Sequence, residues 1–239
     1  MMNSEPGTGK IIRSIWKIVL RNTFSVLVTL LLLFLPAGRL DWWEAWVYIG
    51  MVLISSMISS LILDAHNPDL VRERSHAASA DNVKGWDKFL VLITSVVGPT
   101  AALIIAGLDQ RFGWSSDLPD YIQWISLVII VLGRSLSSWA MITNPFFSSH
   151  VRIQTDRGHS VYAGGPYKVI RHPGYAGGLL SWLAAPVFFR SIWMAIPTIL
   201  VIAASILRTV MEDKTLRVEL PGYPEYAGEV EYRLIPGIW

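Results

Sequence analysis

Gly164-Gly165-Pro166-Tyr167-Lys168-Val169-Ile170-Arg171-His172-Pro173-Gly174-Tyr175 is a polar segment, punctuated by glycine and proline, set between two strongly apolar regions. It reads as a turn, a short basic step and then a helix start. Pro173 suits the first helical turn, where its missing N–H has no partner to lose. The glycines let the backbone turn sharply or come close to a ligand. Backbone amides at such a helix start face whatever binds there.

The apolar regions on either side set the fold class. Of 239 residues, 52% are hydrophobic and only 16% charged, and the mean hydropathy is positive. That is the profile of an all-α, polytopic integral membrane helical bundle. A spanning helix needs about 20 mostly apolar residues. Six stretches qualify or nearly so: 22–37, 42–63, 89–108, 121–143, 174–189 and 192–210. The fifth is short and carries Pro186. Gly98-Pro99 is expected to bend the third and Pro197 the sixth. Trp42, Trp43, Trp46, Trp86, Trp114 and Trp124 fall near span ends, where interface anchors belong. If 192–217 is one helix it is about 39 Å long and outruns the hydrocarbon core, placing Arg208 near the interface and Glu212 and Asp213 just beyond it.

Met1 to Gly9 reads as disordered. From Lys10 to Arg21, basic residues alternate with isoleucines, Trp16 and Val19, as in an interfacial amphipathic helix. The chain therefore divides into an N-terminal amphipathic segment (1–21), four transmembrane helices (22–143) and a core of two more helices with a tail (144–239). Basic residues crowd before the first span, between the second and third, between the fourth and fifth, and after the sixth. Only Arg39, Arg111 and Arg190 remain for the other side. Both termini and the 146–172 loop are thus expected in the cytoplasm. With no cysteine in the chain, disulfides, thiolate metal sites and cysteine nucleophiles are excluded. The five histidines show no metal-ligand spacing, so no metal is expected. Scattered basic residues argue against nucleic acid as a partner.

Three further features accompany the opening segment. Arg208 and Glu212 stand at i and i+4, Gly222 and Tyr226 repeat a Gly-x3-Tyr spacing, and Ile235-Pro236 closes the tail. Gly-Pro-Tyr-x4-His-Pro-x-Tyr, then Arg-x3-Glu, Gly-x3-Tyr and Ile-Pro together resemble the isoprenylcysteine carboxyl methyltransferase family and its phospholipid methyltransferase relatives. The resemblance covers Asn144 onward. It implies a membrane-embedded enzyme with a cytoplasmic pocket that moves a methyl group from S-adenosylmethionine to a lipophilic small-molecule or lipidated acceptor in the membrane lipid, in a prokaryotic cell membrane. It also implies cofactor-binding roles for Gln154, His159, Val161, Tyr162, Tyr167, His172, Pro173, Tyr175 and Glu212, and contact of Arg208 with an acceptor carboxylate.

Chemistry is consistent with these roles. A carboxylate such as Glu212 can hold ribose hydroxyls or an ammonium group, and tyrosine faces attract a sulfonium. A guanidinium fork grips a carboxylate at two points. Each residue also has a plainer reading. The tyrosines suit an interface belt, His172 a helix cap, His159 a solvated loop, and Arg208 with Glu212 a helix ion pair. Arg134, inside the fourth span, calls for a structural partner such as Asp64 or for a substrate headgroup. Other functions compatible with the motifs are phospholipid amine N-methylation, an NADPH-dependent sterol-reductase-like activity that shares Arg-His-Pro-x-Tyr, and a non-catalytic membrane scaffold.

Overall fold

The computed structural model describes residues 8–80 and 82–239, and the side chains from Trp16 onward except those of residues 17 and 81. These residues form helices and connecting turns, with no strand among them: α1 (Thr8–Ala37), α2 (Trp43–His66), α3 (Pro68–His76), α4 (Gly85–Leu92), α5 (Gly98–Phe112), α6 (Asp120–Thr143), α7 (Pro173–Phe188), α8 (Ala195–Glu219) and α9 (Tyr223–Glu229). The amphipathic stretch is not a separate element. With no glycine or proline between Lys10 and Pro36 to break it, α1 runs unbroken from Thr8. The side chains of Lys10, Arg13 and Lys17, on which the amphipathic reading rests, lie outside the described residues, as do residues 1–7 of the stretch Met1 to Gly9 expected to be disordered; Thr8 and Gly9 instead open α1.

Among the described residues, five helical segments are long and apolar enough to cross a membrane: 18–37, 43–66, 85–112, 120–143 and 195–219. Their outward faces remain apolar, with Leu31, Ile54, Val128 and Ile199 all exposed. A soluble bundle would place polar residues there, so the structure is a polytopic membrane bundle. The fifth expected span, α7, has only 16 residues, about 24 Å of helix. It nevertheless runs antiparallel along α6 from end to end. At one end Ser137 Oγ donates to the Gly174 carbonyl at 2.9 Å. At the other, Gln123 donates to the Phe188 carbonyl at 2.8 Å and Arg190 pairs with Asp120 and Asp117. Small residues permit the close approach: a methyl on Gly133 would lie 2.5 Å from the Gly177 carbonyl oxygen.

Two sequence expectations change and a third holds. Pro197 sits in the first turn of α8, whose N–H groups have no helical acceptor, so no bend follows there. Gly98-Pro99 does mark an irregularity, a π-helical turn at Ile93–Val97 closed by Gly98 N–H donating to the Ile93 carbonyl. Trp42 is not an interface anchor. It is 1% exposed, packed against Phe34 and Phe189 in the main core with Leu33, Phe188 and Met194. Trp43, Trp46, Trp114 and Trp124 are exposed. A second core cluster joins Tyr167, Leu220, Tyr223 and Tyr226 to Phe147, Val161 and Tyr162. This cluster floors the cavity described next.

Candidate active site

Several stretches surround a cavity of ≈ 350 Å³, among them α3 with Arg74 and the π-helical turn with Thr94 and Ser95, and its volume is within the usual range for small-molecule sites. From α8 come Ser205, Arg208, Glu212 and Leu216, which helical periodicity places on one face. The start of α7 contributes Gly174, Tyr175 and Gly178, the 144–162 loop adds Gln154 and His159, and Tyr223 and Tyr226 close the far wall. The opening segment does form a turn followed by a helix start. Gly165 adopts a left-handed φ of 54° that favours glycine, Gly165–Lys168 make one 3-10 turn, and Pro173 is the first residue of α7.

Nine of the ten residues named from sequence line this cavity; Pro173 is not among the lining residues and instead starts the helix. Glu212 accepts a 2.5 Å hydrogen bond from the Tyr175 hydroxyl. Arg208 does not pair with Glu212. Its Nε donates to Asp87 Oδ1 at 2.6 Å, its Nη2 donates to Asp87 Oδ2 at 3.4 Å and to the Ser149 carbonyl at 2.9 Å, and its guanidinium lies 5.5 Å above the Tyr175 ring. Tyr175 therefore touches both charged residues of the α8 face. Tyr162 and Tyr167 meet edge to face, with centroids 5.6 Å apart. Tyr167 is buried, which pushes its hydroxyl well above the usual phenol range, and its carbonyl accepts from the Tyr226 hydroxyl at 2.7 Å.

Two loop residues serve the loop itself. The Gln154 amide donates to the Phe146 carbonyl at 2.8 Å and accepts from Arg157, so both ends of this fully buried side chain are engaged in the loop. The Gln154 N–H donates to His159 Nδ1 at 3.2 Å, and the His159 ring packs on Phe146. Burial, and then the neighbouring Arg157 and Arg152, push the His159 pKa down to about 4, leaving a neutral ring whose Nε2 carries the proton.

His172 is the N-cap residue of α7, but its side chain makes no capping bond. Its Nε2 lies 3.3 Å from Asp213 Oδ1 and 3.4 Å from the Tyr223 hydroxyl. Asp213, on the face of α8 turned from the cavity, is the hub of this corner. It accepts from Arg171, Tyr223, Arg217 and Arg233. Arg171 in turn donates to the carbonyls of Val230 and Glu231 at 2.6 and 2.7 Å. The N–H groups of Arg171 and His172 donate to the Tyr232 and Arg233 carbonyls, each at 2.9 Å. The tail is thus fastened to the motif by backbone and charge together. Sequence reasoning passed over Asp87 and Asp213 as site residues. The signal for both was an acidic group on an apolar helix, which requires a partner. Arg134 donates to Ser55 Oγ at 3.0 and 2.8 Å, between helices and away from the cavity wall.

Residues 124–218 match the family model described as the isoprenylcysteine carboxyl methyltransferase family. Two curated relatives, from Oryza sativa subsp. indica and Oryza sativa subsp. japonica, are each named a probable protein-S-isoprenylcysteine O-methyltransferase. Each is 31% identical over 61 residues, 25% of this chain. The chain spans about a third, 32%, of the length of these relatives. The matched residues include α7, most of α6 and α8, and every cavity residue named from sequence. The segment 124–218 of this membrane bundle is thus similar in sequence to the isoprenylcysteine carboxyl methyltransferase family.

Proposed function

We propose that this protein transfers a methyl group from S-adenosylmethionine to the carboxylate of a lipophilic acceptor at the membrane edge. The observation that carries the proposal is the α8 face. There Glu212 and Arg208, one turn apart, point into one cavity and are bridged by Tyr175. The lining suits the cofactor's chemistry. Among the described residues the Glu212 carboxylate has a single hydrogen-bond partner, the Tyr175 hydroxyl, so it keeps acceptor capacity for ribose hydroxyls or an ammonium group. Tyr162, Tyr167 and Tyr175 supply ring faces for a sulfonium.

S-adenosylmethionine supplies a methyl group on a positively charged sulfur, open to in-line attack by an oxygen. The protein's part is positional. Glu212 and the tyrosines fix the donor, while Arg208, clamped by Asp87 and the Ser149 carbonyl, presents its remaining Nη1 edge to the acceptor. A carboxylate is ionised at neutral pH and needs no proton acceptor, whereas an amine would need one. The neutral His159 ring, with Nδ1 already bonded, supplies none. The relatives' name describes methylation at oxygen of a prenylated cysteine, and we extend that acceptor class, a lipid-bearing carboxylate, to this chain. The distribution of basic residues among the loops supports a cytoplasmic position for the cavity.

Membranes containing the protein, supplied with methyl-labelled S-adenosylmethionine, should yield a lipid-soluble product whose label is released by mild alkali as methanol. Alkali-stable label would mean transfer to an amine and would overturn the carboxylate assignment; no incorporation above an Arg208→Ala control would overturn the reaction.

A further inference from the structure

We propose that Arg74 is a second anion-binding residue of this cavity and, with the Nη1 edge of Arg208, holds the carboxylate of a bound ligand. The inference rests on the methyl-transfer reading and adds a residue that the motifs do not contain.

Four arginines line the cavity. Three have a carboxylate: Arg152 pairs with Glu73 at 2.6 Å, Arg171 with Asp213 at 2.8 Å, and Arg208 with Asp87 at 2.6 Å. Among the described residues Arg74 has none. Its Nη1 donates to the Phe147 carbonyl at 3.1 Å and its guanidinium lies 5.6 Å from the Phe147 ring centroid. Arg74 and Arg208 are held by the same short loop, because Ser149 gives its carbonyl to Arg208 and its hydroxyl to the Arg74 carbonyl. Burial, and then the nearby charges of Arg21 and Arg208, lower the Arg74 pKa, the direction expected of a cation lacking a counterion.

A half-buried guanidinium beside another cation is costly unless an anion arrives. Arg208 cannot grip a carboxylate alone in two-point fashion. Its Nε and both Nη2 hydrogens are engaged by Asp87 and Ser149, leaving only Nη1. Arg74 supplies the missing donors, and a carboxylate's two oxygens can meet two guanidinium groups at once. After the three pairs are set aside, among the described residues Arg74 is the remaining arginine of the cavity lining and Glu212 its carboxylate. Ligands carrying both signs, or one ligand of each sign, therefore match the site. In the proposed reaction a carboxylate can come from two sources, the amino-acid end of the cofactor or the acceptor.

The test is equilibrium binding to the purified protein in detergent, with two probe pairs: S-adenosylmethionine against its decarboxylated analogue, and N-acetyl-S-farnesylcysteine against its carboxamide. In one pair the wild type should prefer the carboxylate by about tenfold or more, the range for one charge-assisted hydrogen bond. Arg74→Gln should reduce that preference to about twofold or less. The pair affected identifies the source. Arg74→Lys, which keeps the charge and loses the fork, should keep only part of the preference; it serves as the test if the glutamine variant does not fold. A preference that survives unchanged in the variants, or the lack of any preference in both pairs, would overturn the assignment. If the wild type binds no S-adenosylmethionine yet shows an Arg74-dependent preference for the acceptor carboxylate, the methyl-transfer reading fails and the role of Arg74 stands.

Discussion

Replacing Asp213 by alanine should unfasten the tail from the motif and cost far more than an ordinary ion pair. Asp213 is 1% exposed and Arg171 is 3% exposed. Their bonds run at 2.8 Å from Nε and 3.4 Å from Nη2. Arg217 and Arg233 reach the same carboxylate from the surface and are more exposed, so each contributes at most about 1 kcal/mol. Removing one partner of a buried pair leaves the other charge uncompensated, a loss of about 3–5 kcal/mol. Arg171 also holds the carbonyls of Val230 and Glu231, so the loss should appear first in residues 230–239. Denaturant titration of Asp213→Ala in mixed micelles gives the stability change, and limited proteolysis locates it. The double variant Arg171→Met with Asp213→Ala should regain part of the stability, because no buried charge is then left alone. A change below about 1 kcal/mol in the single variant would show that the two carbonyls suffice for Arg171, and the hub reasoning would be wrong.

Arg208→Lys keeps a charge near Asp87 but loses the planar contacts to Ser149 and the acceptor edge. Cofactor affinity should change little while turnover falls by about a hundredfold, as expected when geometry alone is lost; wild-type turnover in this variant would remove Arg208 from acceptor positioning. The cavity loop should loosen on acidification. His159 titrates at about 4 when folded against an ordinary 6.5, so between these values the unfolded chain takes up the extra proton and stability falls as pH is lowered. Glu73, held below its ordinary value chiefly by its hydrogen bond to Arg152, extends the same trend to lower pH. Proteolysis of the loop should therefore accelerate from pH 6.5 to 4, less so in His159→Gln, and a flat wild-type profile would refute this. Because the chain has no cysteine, topology can be read with introduced ones. Cysteine at Lys168 or Gly237 should be shielded from an impermeant reagent in intact cells and cysteine at Ser116 labelled, and the reverse pattern would invert the orientation.

What the sequence made legible follows from its physics. Long apolar runs declare membrane helices, because no other arrangement hides both their side chains and their backbone. Residues whose proposed function requires specific types at fixed spacing, Tyr167, His172, Tyr175, Arg208 and Glu212, were recognisable together, and the fold gathers them at one cavity. Partners across the bundle were not legible. Asp87 lies 121 residues from Arg208, and no local pattern encodes a pairing at that distance. The i, i+4 spacing of Arg208 and Glu212 suggested a local ion pair, but Asp87 and Tyr175 take the two groups instead. Trp42 looked like an interface anchor because it stands at a span end, yet the bundle buries it between Phe34 and Phe189. Gln154 came from the resemblance, and the structure shows its amide already committed to Phe146 and Arg157.

The central claim is that the cavity beside Glu212 binds S-adenosylmethionine. Direct titration of the purified protein with labelled cofactor tests it, with NADPH as the comparison and Glu212→Ala as the variant. Saturable binding of S-adenosylmethionine and none of NADPH is expected. Glu212→Ala should lose about one to two decades in affinity, the worth of a charge-assisted hydrogen bond. Binding of NADPH instead, or S-adenosylmethionine affinity unchanged in Glu212→Ala, would contradict the proposed function.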